Sequence, residues 1–179
     1  MLPAMADDLA QRLLTASELR GHFVLSSGKR SSVYFDKFRF LTDPPLLRDL
    51  AHAVVGLLPE SVTHLAAPEG AATLLIAAVA LEADLPIAVV RKEPKAYGTR
   101  SQVEGHAPPG ARVALVEDVS TTGHQVLKAA RALEAEGCEI GLVVLAIDRG
   151  GGRRLRDAGY LVKAVVEIEP DEGPDGRTR

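Results

Sequence analysis

The sequence predicts an α/β protein in which a parallel sheet is flanked by helices. Three observations carry that expectation. From residue 63 onward, short apolar runs alternate with helical stretches. Those runs, such as "RVALVED" (112–118) and "IGLVVLAID" (140–148), are apolar at successive positions instead of every second one, the mark of strands buried on both faces. Apolar residues make up 46% of the chain, but aromatics only 4%, with no Trp. The core must therefore be Val, Leu, Ile and Ala.

At 179 residues the chain is long enough to bury a proper core as one domain. Residues 8–20 predict a helix with Leu9, Leu13 and Leu14 on one side. Residues 23–40, "FVLSSGKRSSVYFDKFRF", set apolar and aromatic stretches around a Ser/Gly/Lys turn, which predicts a hairpin. Asp43-Pro44 starts the next helix, a capping acid followed by proline in the first turn. Leu46, Leu47, Leu50, Val54, Leu57 and Leu58 supply its buried face.

The alternation then begins with a strand at 63–67, an Ala/Leu helix at 70–83 and a strand at 86–91. A polar stretch, 92–110, has almost no apolar anchor, so it is expected to be mobile without ligand. A strand at 112–118 leads to a helix at 124–136, closed by Gly137. The strand at 140–148, a short helix at 152–158 and a last strand at 160–168 complete the pattern. No linker interrupts 1–168, which reads as a single domain, and the polar tail 169–179 reads as disordered.

Composition excludes several classes. A net charge of −3 argues against a general nucleic-acid binder. The single cysteine, Cys138, permits no internal disulfide and reads as buried filler in a reducing compartment. No apolar run approaches the roughly 20 residues of a membrane span. The first residues carry acids where a secretion signal carries bases. A cytoplasmic protein without nucleic-acid or membrane partners is expected. His22, His52, His64, His106 and His124 lack metal-ligand spacing. There is no Gly-x-Ser-x-Gly elbow and no Lys-Ser/Thr phosphate loop.

The most informative segment is "VALVEDVSTTGHQ" (113–125). An apolar strand ends in two acids, then a small hydroxyl-rich loop, then a helix. In open α/β sheets, ligands collect at the carboxyl ends of strands. Thr121, Thr122 and Gly123 stand at the helix start, where backbone N–H groups and hydroxyls make a cup for a phosphate. Glu117 and Asp118 do not favour a phosphate. They suit a sugar diol, or Mg²⁺ carried with the substrate. A lone Thr-Thr-Gly is more often just a helix cap. The whole string after an apolar strand reads instead as a site for a phosphorylated sugar.

This segment resembles the phosphoribosyl-diphosphate binding motif of the type I phosphoribosyltransferases. The resemblance implies that family's parallel sheet with a small N-terminal hood. It also implies that Glu117 and Asp118 hold the ribose hydroxyls, with Asp118 catalytic, while Ser120, Thr121, Thr122 and Gly123 hold the 5-phosphate. "VVRKEPKAYGTRSQVEG" (89–105) looks like the mobile catalytic loop of the orotate phosphoribosyltransferases. Arg91, Lys92, Lys95 and Arg100 gather cations in a polar, Gly-containing stretch able to close on a pyrophosphate. By resemblance Lys92 and Lys95 are catalytic, and Arg91 and Tyr97 bind substrate.

Phe23, Leu25, Ser27, Gly28, Ser31 and Tyr34 match that family's N-terminal signature, which forms the hood, here about residues 8–40. The family often has Lys just before the Ser-Gly, where this chain has Ser26, so Lys29 or Arg30 is expected to supply the cation. "AIDRGGG" (146–152) resembles the family's Asp-Arg-x-x-Gly-Gly stretch. A guanidinium forks onto carboxylate oxygens, so Arg149 is the natural partner of the orotate carboxylate. "AAPEGAA" (66–72) stands where the family has its pyrophosphate loop. There Gly70 suits an anion and Glu69 is expected to point away.

Together the resemblances imply an enzyme joining orotate to 5-phosphoribosyl 1-diphosphate, with Mg²⁺ as cofactor and active sites shared across a homodimer. Transfer to another base, such as a purine, and a regulator that only senses phosphoribosyl diphosphate are the alternatives. The retained Lys92 and Lys95 favour an enzyme.

Overall fold

The computed structural model describes residues 3–24, 28, 30–94 and 101–168. Leu9 and Leu13 are buried, as their spacing requires, on helix α1 (Pro3–Ser17). The helix is shorter at its carboxyl end than the sequence suggests. Residues 18–20 belong to strand β1 (Glu18–Val24), which pairs antiparallel with β2 (Arg30–Phe35). Pairing across the hairpin, Glu18 to Phe35 and Leu19 to Tyr34, overrides local helix propensity there. The ladder register shifts between Arg20 and Phe23, leaving an extra residue on β1. The hairpin therefore spans 18–35, not 23–40, and its last residues enter a short helix, α2 (Phe38–Leu41).

Helix α3 (Pro44–Val55) starts as expected. Asp43 Oδ1 accepts from the Leu46 N–H at 3.0 Å, and prolines occupy the first turn. Leu46, Leu50 and Val54 are buried, while Leu57 and Leu58 lie beyond the helix and pack against the same core.

Five strands run parallel: β3 (His64–Pro68), β4 (Ile87–Val90), β6 (Arg112–Ser120), β7 (Glu139–Asp148) and β8 (Val162–Glu167). With a short edge strand β5 (Val103–Gly105), the order across the sheet is β5-β4-β3-β6-β7-β8. Helices α4 (Ala72–Ala83), α5 (His124–Ala135) and α6 (Gly151–Asp157) alternate with them. The consecutive apolar residues of each strand split between two faces. Leu65, Ala67, Ala114, Val116, Leu142 and Val144 pack with α1 to α4. Ala66, Val113, Leu115, Val143 and Leu145 pack with α5 and α6. Among the described residues, no helix is long and apolar enough to cross a membrane.

One strand was not foreseen. The stretch 92–110, read as unanchored, contains β5 (Val103–Gly105), antiparallel to β4 at the sheet edge. Arg91 N–H donates to Gln102 O at 2.8 Å, and Val103 and Ala107 pack against the core. Residues 101–110 are therefore tied to the sheet. Residues 95–100, the centre of the expected mobile loop, lie outside the described residues, as does the tail 169–179. The missed strand is only 3 residues long, too short for its period to register.

Gly105 makes the edge possible. Its φ is +94°, and a Cβ there would lie 2.6 Å from Ile87 O on β4. Gly105→Ala should cost about 2–3 kcal/mol through backbone strain and overlap, read as a lower midpoint in urea unfolding. An unchanged midpoint would mean the edge strand yields without cost.

Candidate active site at the carboxyl ends of the strands

Adjacent strands β4, β3, β6 and β7 deliver their carboxyl ends side by side. They bring, in that order, Arg91 and Lys92, the Glu69–Gly70 turn, Glu117 to Gly123, and Asp148 with Arg149. With strands about 4.8 Å apart, the four ends span roughly 15 Å. That is enough for a phosphorylated sugar with groups on either side.

β6 runs two residues further than expected, through Ser120, because it keeps pairing with β7 as far as Asp148. This extension buries the acids. Asp118 is fully buried and Glu117 is 8% exposed. The Asp118 N–H donates to Glu117 Oε1 at 3.0 Å. Burial, then the charge of Asp118, push the Glu117 carboxyl up to about 8, partly opposed by Lys37. The site therefore favours the protonated form of Glu117. Asp118 meets an ammonium instead: Lys37 Nζ lies 3.0 Å from both carboxylate oxygens. Its hydrogen bond goes to Oδ1, as does that of the Val119 N–H, while Oδ2 has no hydrogen bond.

The loop after the acids is shaped for an anion. Thr121 and Thr122 are exposed, and Gly123 begins α5 at φ +70° with no side chain capping the helix. Its first N–H groups point to the loop. Ser120 Oγ is buried without a hydrogen-bond partner. A Cβ on Gly123 would overlap Gly151 O, and one on Gly151 would overlap Ser120 Oγ. Only glycines let the loop and the α6 turn pack this closely.

Asp148 is a structural residue. Its Oδ1 accepts from the N–H groups of Gly150 and Gly152, both at 2.9 Å, and so ties down the turn that carries Arg149. Arg149 N–H donates to Ser120 O at 2.8 Å. Its guanidinium sits 5.2 Å over the Phe35 ring, beneath the hood. Gly70 adopts φ +131° before α4, which begins at Ala72 without a side-chain cap. Glu69 accepts from the Lys92 N–H at 3.0 Å, so it locks two loops together. Arg91 is half-buried, and its Nε has no hydrogen bond.

The structure thus brings together Glu117, Asp118, Ser120 to Gly123 and Arg149, with Gly70, Arg91 and Lys92 on the neighbouring strand ends. Lys29, Lys95 and Tyr97 lie outside the described residues. Lys37 was missed: 81 residues separate it from Asp118, and no local pattern links them. Among the described residues, no group of three or more His, Cys, Asp or Glu side chains forms a metal site. Asp118 already has an ammonium partner in Lys37, so the acid pair does not fit a resident divalent cation.

The chain is similar to known proteins over most of its length. The model of the phosphoribosyl transferase domain family matches residues 41–172. The orotate phosphoribosyltransferase of Thermococcus gammatolerans is 39% identical over 168 residues, covering 90% of this chain and 89% of its own. The crystal structure of orotate phosphoribosyltransferase from Aeropyrum pernix superposes with a TM-score of 0.76 at 34% identity, covering 92% of this chain and 93% of its own. The Mycobacterium tuberculosis enzyme, crystallised with 5-phospho-alpha-D-ribosyl 1-diphosphate, gives a TM-score of 0.76 at 25% identity, covering 92% and 96%.

The buried Glu117 sets a pH dependence of stability. At low pH the carboxyl is protonated in both folded and unfolded chains, with no penalty. As pH rises from the ordinary Glu range toward about 8, the unfolded chain ionises first. Stability therefore falls across that window. Glu117→Gln should remove this slope and raise stability on the order of 2 kcal/mol near the top of the window. Thermal unfolding of both proteins across the window is the measurement; parallel curves would mean Glu117 ionises freely.

Proposed function

Because the chain belongs to the orotate phosphoribosyltransferase family, we propose that the ends of its strands divide one transfer reaction between them. Orotate and 5-phosphoribosyl 1-diphosphate become orotidine 5′-monophosphate and pyrophosphate, a step in making UMP. The observation that carries the assignment of roles is the buried acid pair ending β6, directly beside an uncapped helix N-terminus.

The sugar lies over the end of β6. Its hydroxyls donate to Asp118, whose Oδ2 accepts no hydrogen bond within the protein, and Glu117 supports that carboxylate through the backbone. Ser120 to Gly123 hold the 5-phosphate with N–H groups and hydroxyls. Arg149, from the next strand, forks onto the base carboxylate while the hood covers the base. On the other side, Gly70, Arg91 and Lys92, together with Lys95 and Tyr97, receive the pyrophosphate.

The base nitrogen attacks the anomeric carbon as the bond to pyrophosphate breaks. Positive charge develops on the ribose ring, and negative charge on the leaving oxygen. The protein contributes position, cations at the leaving group and exclusion of water. Mg²⁺ travels with the diphosphate as part of the substrate. The enzyme works in the cytoplasm as a homodimer, with loop cations reaching the neighbouring subunit's site.

A panel of bases offered with phosphoribosyl diphosphate and Mg²⁺, followed by pyrophosphate release, tests the reading. Orotate should be consumed, and purines ignored. Arg149→Ala should weaken orotate binding by about thirtyfold or more while leaving phosphoribosyl diphosphate within a few fold. Equal losses for both ligands in calorimetry would remove Arg149 from the base pocket.

The sharing of sites has its own test. Lys95→Ala and Asp118→Asn homodimers should each lose at least about a hundredfold in turnover. Mixed dimers of the two combine one doubly defective site with one intact site, so activity should return on subunit exchange. No recovery, with heterodimers confirmed by mass spectrometry, would mean that each loop serves its own subunit.

A further inference from the structure

The corner where the hood ends is fixed before it reaches the site. Asp36 N–H donates to Ser17 O at 2.8 Å, and Asp36 Oδ1 accepts from Phe38 N–H at 3.1 Å. Phe40 and Leu41 anchor α2 in the core. Lys37 stands at the start of α2, and its side chain makes no cap bond. Instead it crosses to β6 and meets both oxygens of Asp118 at 3.0 Å. The Lys37 side chain remains 39% exposed, while that of Asp118 is at 0%. Phe35, two residues earlier, carries the Arg149 guanidinium. One corner of the hood thus touches both the ribose and the base sides of the site.

We propose that Lys37 is a positioning residue of the ribose site: it is the built-in counter-ion of Asp118, and it lets a sugar diol dock on that carboxylate without a divalent cation bound to the protein. The proposal rests on the ribose role assigned to Asp118 above. A phosphorylated sugar arrives negatively charged, and a bare buried carboxylate beneath it repels it. Protonating Asp118 would remove the repulsion but also turn one of its oxygens into a donor. An ammonium cancels the charge and leaves lone pairs available. Lys37 and the Val119 N–H hydrogen-bond to Oδ1, while the buried Oδ2, 3.0 Å from the same ammonium, accepts no hydrogen bond and is the oxygen with lone pairs still unused. The exposed side of Lys37 also places positive charge at the mouth where the anion enters.

The test is calorimetric binding of ribose 5-phosphate to the full-length protein in EDTA, with inorganic phosphate as the comparison ligand. Lys37→Met should weaken ribose 5-phosphate by about tenfold or more, equivalent to one hydrogen-bonded charge contact. Inorganic phosphate, which has no diol, should change by less than about threefold. Lys37→Gln should behave like Lys37→Met, so either folded variant decides, with thermal unfolding establishing that it is folded. Lys37→Arg should recover most of the binding.

In an Asp118→Asn background, Lys37→Met should add little, because its partner charge is already gone. Unchanged ribose 5-phosphate binding in the Lys37 variants would overturn the proposal. So would an equal loss for inorganic phosphate, or an undiminished effect beside Asp118→Asn. If folded wild-type protein binds no ribose 5-phosphate, the ribose reading of the strand end falls together with this one. If the wild type binds and the Lys37 variants bind equally well, only this proposal falls.

Discussion

A parallel sheet covered on both faces has no room for polar side chains along its length. Each central strand here is apolar at successive positions, because alternate residues enter two different cores. Polar chemistry is displaced to the ends of the strands. Parallel strands all end on the same side, so the displaced groups gather there. The neighbouring ends of β4, β3, β6 and β7 carry Arg91 and Lys92, the Gly70 turn, the two acids with the Ser120–Gly123 loop, and Arg149 for that reason. The helices that cover the sheet then present their N-termini to the same edge, where an anion is favoured.

The acids at the end of β6 show how this edge handles charge. Both are withdrawn from water, and their charge is moderated in different ways: burial pushes the Glu117 carboxyl toward its protonated form, and Asp118 is paired with an ammonium from the hood. Cations lie toward the rim, on Arg91, Lys92 and Arg149.

Much of this was legible in the sequence, where the signal was local. The run ending in Glu117-Asp118 and followed by Thr121-Thr122-Gly123 marked both a buried strand and the loop that leads into α5. Asp43-Pro44 marked the start of α3, since a cap and an N-terminal proline act within one turn. What escaped was decided by distant partners. Residues 18–20 follow a helix and look like its continuation, yet their hydrogen bonds go to β2. Val103 to Gly105 form a strand only because β4 offers an edge. Lys37 lies in a stretch read only as a hairpin, and its partner is a carboxylate 81 residues away on β6. Asp148 read as part of a ligand motif, but its carboxylate is occupied with the backbone of its own turn.

The contact between Gly123 and Gly151 has a mechanical consequence. The loop after β6 and the turn after β7 touch backbone to backbone, with no side chain between them to act as a compressible spacer. The Arg149 N–H to Ser120 O bond closes the same joint. The two segments therefore move as a single rigid jaw, with the sugar-phosphate and base contacts at a constant separation. The hairpin of the hood meets the jaw through the Phe35–Arg149 stack and the Lys37–Asp118 pair, two contacts that separate without unfolding anything.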